Sequence, residues 1–192
     1  MKKITIINGH PNKEAFNFGV VEAYAKGAIS SGAEIRHITL AEMEFDANLK
    51  YGYQKRMNLE SDLLRAIDDI KWADHLVWVH PVWWGGAPAL LKGFIDRVFL
   101  PGIMYRYREN SMLWDKLLKG KTAHIITTLD QPGWYYRMMY GRPSVNQLKK
   151  STLQFCGVSP VKVTYIGIIR NSKESQRAKW LTKVHRLGVA LK

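Results

Sequence analysis

Residues able to do chemistry concentrate in three stretches, each following a short apolar run. The densest is His80-Pro81-Val82-Trp83-Trp84-Gly85-Gly86. Two adjacent tryptophans beyond a strand cannot both point into one core. Packing beside a flat ring is one use for them, with Gly85 and Gly86 letting backbone approach that ring. In the other reading one Trp caps the core and its neighbour joins an interface. The second stretch, Asn8-Gly9-His10-Pro11-Asn12-Lys13-Glu14-Ala15-Phe16-Asn17, opens directly into a helical pattern. Backbone N–H groups at a helix N-terminus bind phosphate, and His10, Asn12, Lys13 and Asn17 offer further donors. An ordinary polar strand–helix turn fits the same residues. The third stretch runs from Thr127 and Thr128 through Leu129, Asp130 and Gly133 to Trp134, Tyr135 and Tyr136. It supplies hydroxyls and backbone donors, then aromatics that form either a stacking surface or a small hydrophobic cluster.

Other chemistries lack their residues. There is no G-x-G-x-x-G dinucleotide fingerprint, no phosphate loop of the G-x-x-x-x-G-K-[ST] type and no G-x-S-x-G nucleophile elbow. The six histidines, His10, His37, His75, His80, His124 and His185, show no metal-ligand spacing, so no metal site is expected. His75 and His124 fall within strand patterns and read as hydrogen-bonded structural residues. Cys156, at a helix end, reads as an inert thiol.

The elements that must position these loops alternate. Ile4–Ile7 is β-branched and ends at Asn8-Gly9, and a helical pattern from Asn17 to about Ser31 stops at Gly32. Glu34–Leu40 alternates as a strand, and a polar, aromatic loop runs on through Tyr53. Leu63, Leu64, Ile67 and Ile70 mark a helix. His75–Val79 is apolar throughout, as expected of a central parallel strand covered on both faces. After Pro88, the stripe Leu91, Phe94, Ile95 and Val98 predicts a helix. Ala123–Thr128 is a strand, Val145–Phe155 a helix stopped by Gly157, Val161–Ile166 a strand, and Glu174–Leu187 a closing helix. Five strands alternating with five helices predict an α/β three-layer sandwich around a parallel sheet. Ligands of such sheets sit at the carboxyl ends of the strands, near the switch point, which selects the loops after Ile7, Val79 and Thr128.

A chain of 192 residues, 46% hydrophobic and without a linker-like shift in composition, suits one domain over residues 1–192. No run approaches the roughly 20 apolar residues of a membrane span, and the N-terminus shows no signal-peptide core. A single cysteine permits no intrachain disulfide, so a cytoplasmic location is the expectation. The net charge of +13 is spread along the chain without a nucleic-acid motif. It suits attraction of a phosphorylated ligand or a solvated basic surface rather than nucleic acid.

The stretch from His80 through Pro88 to Phe99 (HPVWWGGAPALLKGFIDRVF), continuing as Pro101-Gly102-Ile103-Met104-Tyr105-Arg106-Tyr107, resembles the NAD(P)H:quinone oxidoreductases of the flavodoxin-like family and their bacterial relatives. Gly9-His10, Phe16-Asn17 and Thr127-Thr128 fall at matching places, so the resemblance covers about residues 3–167. It implies a flavodoxin-like five-stranded sheet of order 2-1-3-4-5. It also implies a flavin, FMN with FAD as the alternative, reduced by NAD(P)H and passing two electrons by a ping-pong mechanism. The acceptors would be quinones, nitroaromatics or azo dyes. By resemblance, His10, Phe16 and Asn17 contact the flavin's phosphate and ribityl region. Pro81, Val82, Trp83, Trp84 and Gly85 line its ring, and Thr127, Thr128, Leu129 and Asp130 follow the ring's pyrimidine edge. Tyr105 and Tyr107 close the substrate pocket from a partner subunit, implying a homodimer, and Tyr135 assists hydride transfer. Two departures stand out. Leu129-Asp130 replaces the family's Gly-Gly, where a carboxylate would oppose charge on a reduced flavin unless it points away. Gly141 stands where the family has a second catalytic group, a histidine. Some relatives are instead flavin-binding regulatory subunits of potassium-efflux systems, the alternative reading of the same residues.

Overall fold

The computed structural model describes residues 1–191. Each strand expected from the sequence is present. In chain order the elements are β1 (Lys3–Asn8), α1 (Phe16–Ser30), β2 (Glu34–Thr39), α2 (Ser61–Trp72), β3 (His75–Pro81) and α3 (Ala89–Val98). There follow β4 (Tyr105–Tyr107), β5 (Trp114–Lys116), β6 (Thr122–Thr128), α4 (Gly133–Met138), α5 (Pro143–Asn146), β7 (Val161–Ile166) and α6 (Glu174–Val189). The five long strands form one parallel sheet ordered β2-β1-β3-β6-β7. This is the expected 2-1-3-4-5 order, with a separate β4–β5 antiparallel hairpin inserted before the fourth sheet strand.

Two apolar layers hold the sheet. On one face Ile7, Leu76, Trp78 and Ile125 meet α2, α3 and the helical segment after α5. On the other, Ile4, Ile6, Val77, Val79 and Ile126 meet α1 and α6. Side chains alternate across a strand, so Trp78 and its neighbours Val77 and Val79 serve opposite layers. β3 is buried along its whole length, as its unbroken apolar pattern predicts. Helices α1 and α6 pack at close range: a Cβ at Gly27 would lie 2.1 Å from the His185 carbonyl oxygen. Any larger residue there would push the two helices apart.

The structure departs from the sequence reading in four places. The second strand ends at Thr39, and Leu40–Glu42 is a 3₁₀ turn. Helix α5 gives way to a π-helical segment over Gln147–Gln154, in which the Thr152 hydroxyl donates to the Gln147 carbonyl at 3.0 Å. The hairpin and α4 have no counterpart in the pattern. His75 and His124 are structural as expected, bonded to the Thr122 and Thr164 hydroxyls at 2.6 and 2.8 Å. Cys156 is buried, and desolvation pushes its thiol up to about 12. Arg97 is wholly buried on α3, paired with Glu60 at 2.7 Å and donating to the Asn58 carbonyl at 2.8 Å and to the Asp46 carbonyl. It thereby pins the long loop before α2 to the body of the fold. No helix among the described residues is long and apolar enough to cross a membrane.

Candidate functional site

Parallel strands that are neighbours deliver their following loops to one edge of the sheet. Asn8 pairs with Val79, and Pro81 with Thr128, so the loops after β1, β3 and β6 emerge side by side. Backbone bonds weld them: Gly9 N–H to the Val79 carbonyl and Val82 N–H to the Thr128 carbonyl, both 2.8 Å.

The tryptophan loop is a two-residue turn. Trp83 and Gly86 exchange backbone hydrogen bonds at 3.0 and 2.9 Å, and the residues between them have φ of 50° (Trp84) and 75° (Gly85). Such a turn demands positive φ at both central positions. Gly85 adopts it without penalty, but Trp84 does so at a cost of roughly 1–2 kcal/mol. Nothing in the core repays that cost, because Trp84 is fully exposed (105%). Trp83 is 45% exposed and meets His10 edge-on at 5.5 Å. Beneath the turn lies Tyr136, wholly buried. Its hydroxyl donates to the Gly85 carbonyl at 2.9 Å and accepts the Ser144 N–H at 3.1 Å. This brace was not legible beforehand; the three aromatics in a row after Gly133 gave no sign of which would turn inward.

The β1 loop spends part of its polar inventory on itself. Asn8 Oδ1 accepts the His10 N–H (3.2 Å), His10 Nδ1 the Asn12 N–H (3.0 Å), and Asn12 Oδ1 the Glu14 N–H (2.9 Å). Lys13 turns aside to Glu42 at 3.3 Å. Desolvation lowers the His10 pKa, favouring the neutral ring that serves as acceptor in this relay. Helix α1, in contrast, has Ala15 at its N-cap position, with no side-chain cap and no acid in its first turn. Its N–H groups and partial positive charge thus face the loop without a built-in anion. Phe16 is half-buried and packs edge-on against Trp180 of α6. Asn17 is buried; its Oδ1 accepts the Thr128 hydroxyl at 3.1 Å, while its Nδ2 has no protein acceptor. A buried amide N–H without an acceptor costs about 1–3 kcal/mol, which a ligand oxygen would recover.

At the ends of β3 and β6, His80 is fully buried and held neutral, its pKa lowered to about 4 by desolvation, with Nδ1–H donating to the Pro81 carbonyl at 3.0 Å. The Thr127 hydroxyl donates to the His80 carbonyl at 3.0 Å, so it supports the strand ends from within. Leu129 is buried against Tyr136 and Val145, and its N–H is committed to the Ile166 carbonyl at 3.0 Å. Asp130 does turn aside, its carboxylate accepting the Arg170 N–H at 2.8 Å and facing the Arg170 guanidinium at 3.5 Å. Tyr135 is 37% exposed between Trp134 and Tyr140, both rings 5.8 Å away. Tyr140 in turn flanks Gly85. The positions His10, Phe16, Asn17, Pro81–Gly85 and Thr127–Asp130 are therefore brought to one edge, with Tyr135 beside them. Tyr105 and Tyr107 are not. Tyr105 is buried on Phe155 at 5.0 Å, Tyr107 stacks edge-on against Tyr105, and their ring contacts stay on the α3 side of the molecule.

An uncapped helix N-terminus, an unanswered buried amide and an exposed indole pair beside a glycine turn fit a ligand that carries both a phosphate and a flat ring. A family model described as flavodoxin-like fold matches residues 2–187. An uncharacterized NAD(P)H oxidoreductase of Haemophilus influenzae is 28% identical over 169 residues, covering 85% of this chain and 83% of that protein. The NAD(P)H dehydrogenase [quinone] 1 of Cavia porcellus is 27% identical over 182 residues, 82% of this chain and 65% of that longer one. Among solved structures, Smu.1420 from Streptococcus mutans UA159 superposes with a TM-score of 0.82 at 32% identity, over 98% of this chain and 99% of that one. The chain belongs to the flavodoxin-like fold family, among relatives named as NAD(P)H oxidoreductases and quinone dehydrogenases.

Proposed function

We propose that the protein is a flavin-dependent NAD(P)H oxidoreductase that passes electrons in pairs, by a ping-pong mechanism, to quinones or similar nitroaromatic and azo acceptors. The observation that carries this reading is Trp84: a wholly exposed indole held at positive φ beside a buried, unanswered Asn17 amide and an uncapped helix. FMN is the flavin proposed, with FAD as the alternative. When bound, the flavin supplies the two-electron exchange between nicotinamide and acceptor.

The rest falls to side chains of this chain. The N–H groups opening α1 hold the phosphate, and Asn17 Nδ2 orients the adjoining chain. Trp83, Trp84 and Gly85 form a wall against the ring, braced from beneath by Tyr136. With its carboxylate engaged by Arg170, Asp130 adds little negative charge where negative charge must develop. Tyr135 contributes a phenolic hydrogen bond at the open face. In this reading a homodimer brings the exposed Tyr107 of one copy to the strand-end site of the other, with Tyr105, buried on Phe155, packed behind it. The lone cysteine fits a cytoplasmic location.

The test is steady-state NADPH oxidation by FMN-loaded protein with menadione as acceptor. Parallel double-reciprocal lines are expected; absence of turnover by fully loaded protein would sink the enzymatic reading.

A further inference from the structure

A basic groove of ≈500 Å³ runs along β7, the free edge of the sheet, lined by Arg137, Arg142, Lys149 and Lys162. It adjoins, through Leu187, a second depression on α6 that carries Lys183 and Arg186. Neither lining contains an Asp or Glu, and none of these six cations is in an ion pair among the described residues. Elsewhere on the surface carboxylates answer cations such as Lys13, Lys26 and Lys92. Here the repulsion among them is left standing, a field suited to an anion.

The groove begins next to the strand-end site. Tyr165, on its floor, packs against Tyr136 at 6.2 Å, and Tyr136 braces Gly85. Arg142 donates its backbone N–H to the Tyr136 carbonyl at 3.3 Å. Its own φ is 58°, a left-handed conformation that glycine would adopt at no cost. The chain thus holds an arginine in a left-handed conformation at the edge of the groove, one residue beyond Gly141. Arg137 and Arg142 both face the Tyr165 phenol, opposing the upward push of burial on its pKa.

We infer that this groove is a phosphomonoester site, which takes the 2′-phosphate of a phosphorylated dinucleotide and makes the enzyme prefer NADPH to NADH. The inference rests on the proposed oxidoreductase reading for its ligand, but its binding test does not need turnover. In calorimetric titrations, 2′,5′-ADP is expected to bind about tenfold more tightly than 5′-AMP, as one charge-assisted phosphate contact allows. Arg142→Gln/Lys162→Gln should erase the difference. Lys162→Gln alone, at an exposed edge position, should reduce it, and Lys26→Gln on α1 should leave it intact. In turnover, the double variant is expected to lower kcat/KM for NADPH about tenfold and to leave NADH within about twofold. Discrimination of 2′,5′-ADP by a protein that oxidises no NADPH would support the groove while defeating the proposed activity. Equal binding of both nucleotides, parallel loss of NADPH and NADH turnover, or capture by phosphatidylglycerol vesicles without nucleotide discrimination would overturn it.

Discussion

Trp78 and Trp84 are the same residue type a few positions apart on one strand–loop segment, and they do opposite things. Trp78 is wholly buried, within 6.0–6.3 Å of the Phe94 and Phe99 rings, and belongs to the layer that holds α2 and α3 to the sheet. Trp84 touches no core, is fully exposed and sits on strained backbone. Between them the chain crosses Pro81, the last residue of β3, and passes from residues that stabilise the fold to residues that stabilise a bound ligand. Within this segment, stability should therefore be concentrated before Pro81 and ligand binding in the turn after it.

The largest effect should come from Trp78→Ala, expected to cost about 3–5 kcal/mol in denaturant unfolding through the cavity it leaves. A loss below about 1 kcal/mol would break the contrast. Acid should come next. Burial lowers the pKa of His75 to about 3 and of His80 to about 4. The unfolded chain, with histidines near pH 6.5, therefore binds more protons than the fold in this range. Stability is full above about pH 6.5 and falls as pH drops toward 4. Urea midpoints between pH 7 and 4 check this, and His80→Gln should flatten the slope. Tyr136→Phe removes the hydroxyl bridging the Gly85 carbonyl and the Ser144 N–H. It should cost about 1–3 kcal/mol and weaken flavin binding with it, joining the two regions. The smallest effect is Trp84→Gly, expected to raise stability by about 1 kcal/mol by relieving positive φ, while flavin affinity falls.

The same contrast explains what was legible in the sequence. β1, β3 and β6 announce themselves through apolar runs because they are buried on both faces, and the loops that end them are then located by topology. The hairpin was missed because three-residue strands such as Tyr105–Tyr107 and Trp114–Lys116 are too short to show a period. Arg97 left a usable signal: it sits three residues after Phe94 and beside Val98, on the stripe predicted to be buried. Tyr136 left none, since its inward turn depends on Gly85 and Ser144, distant or unremarkable in sequence. Nor can residue type reveal that the Thr127 hydroxyl and the Leu129 N–H are spent inside the protein.

The most direct test of the central claim is a titration of FMN into flavin-free protein, followed by quenching of flavin fluorescence. Comparing wild type with Asn17→Ala and Trp83→Ala/Trp84→Ala isolates the strand-end site, because none of these side chains lies in the main apolar layers. The account predicts one flavin bound per chain by the wild type and at least about tenfold weaker binding by each variant, with unfolding midpoints little changed for the tryptophan pair. A wild-type protein that binds neither FMN nor FAD, or variants that bind as tightly as wild type, would contradict it.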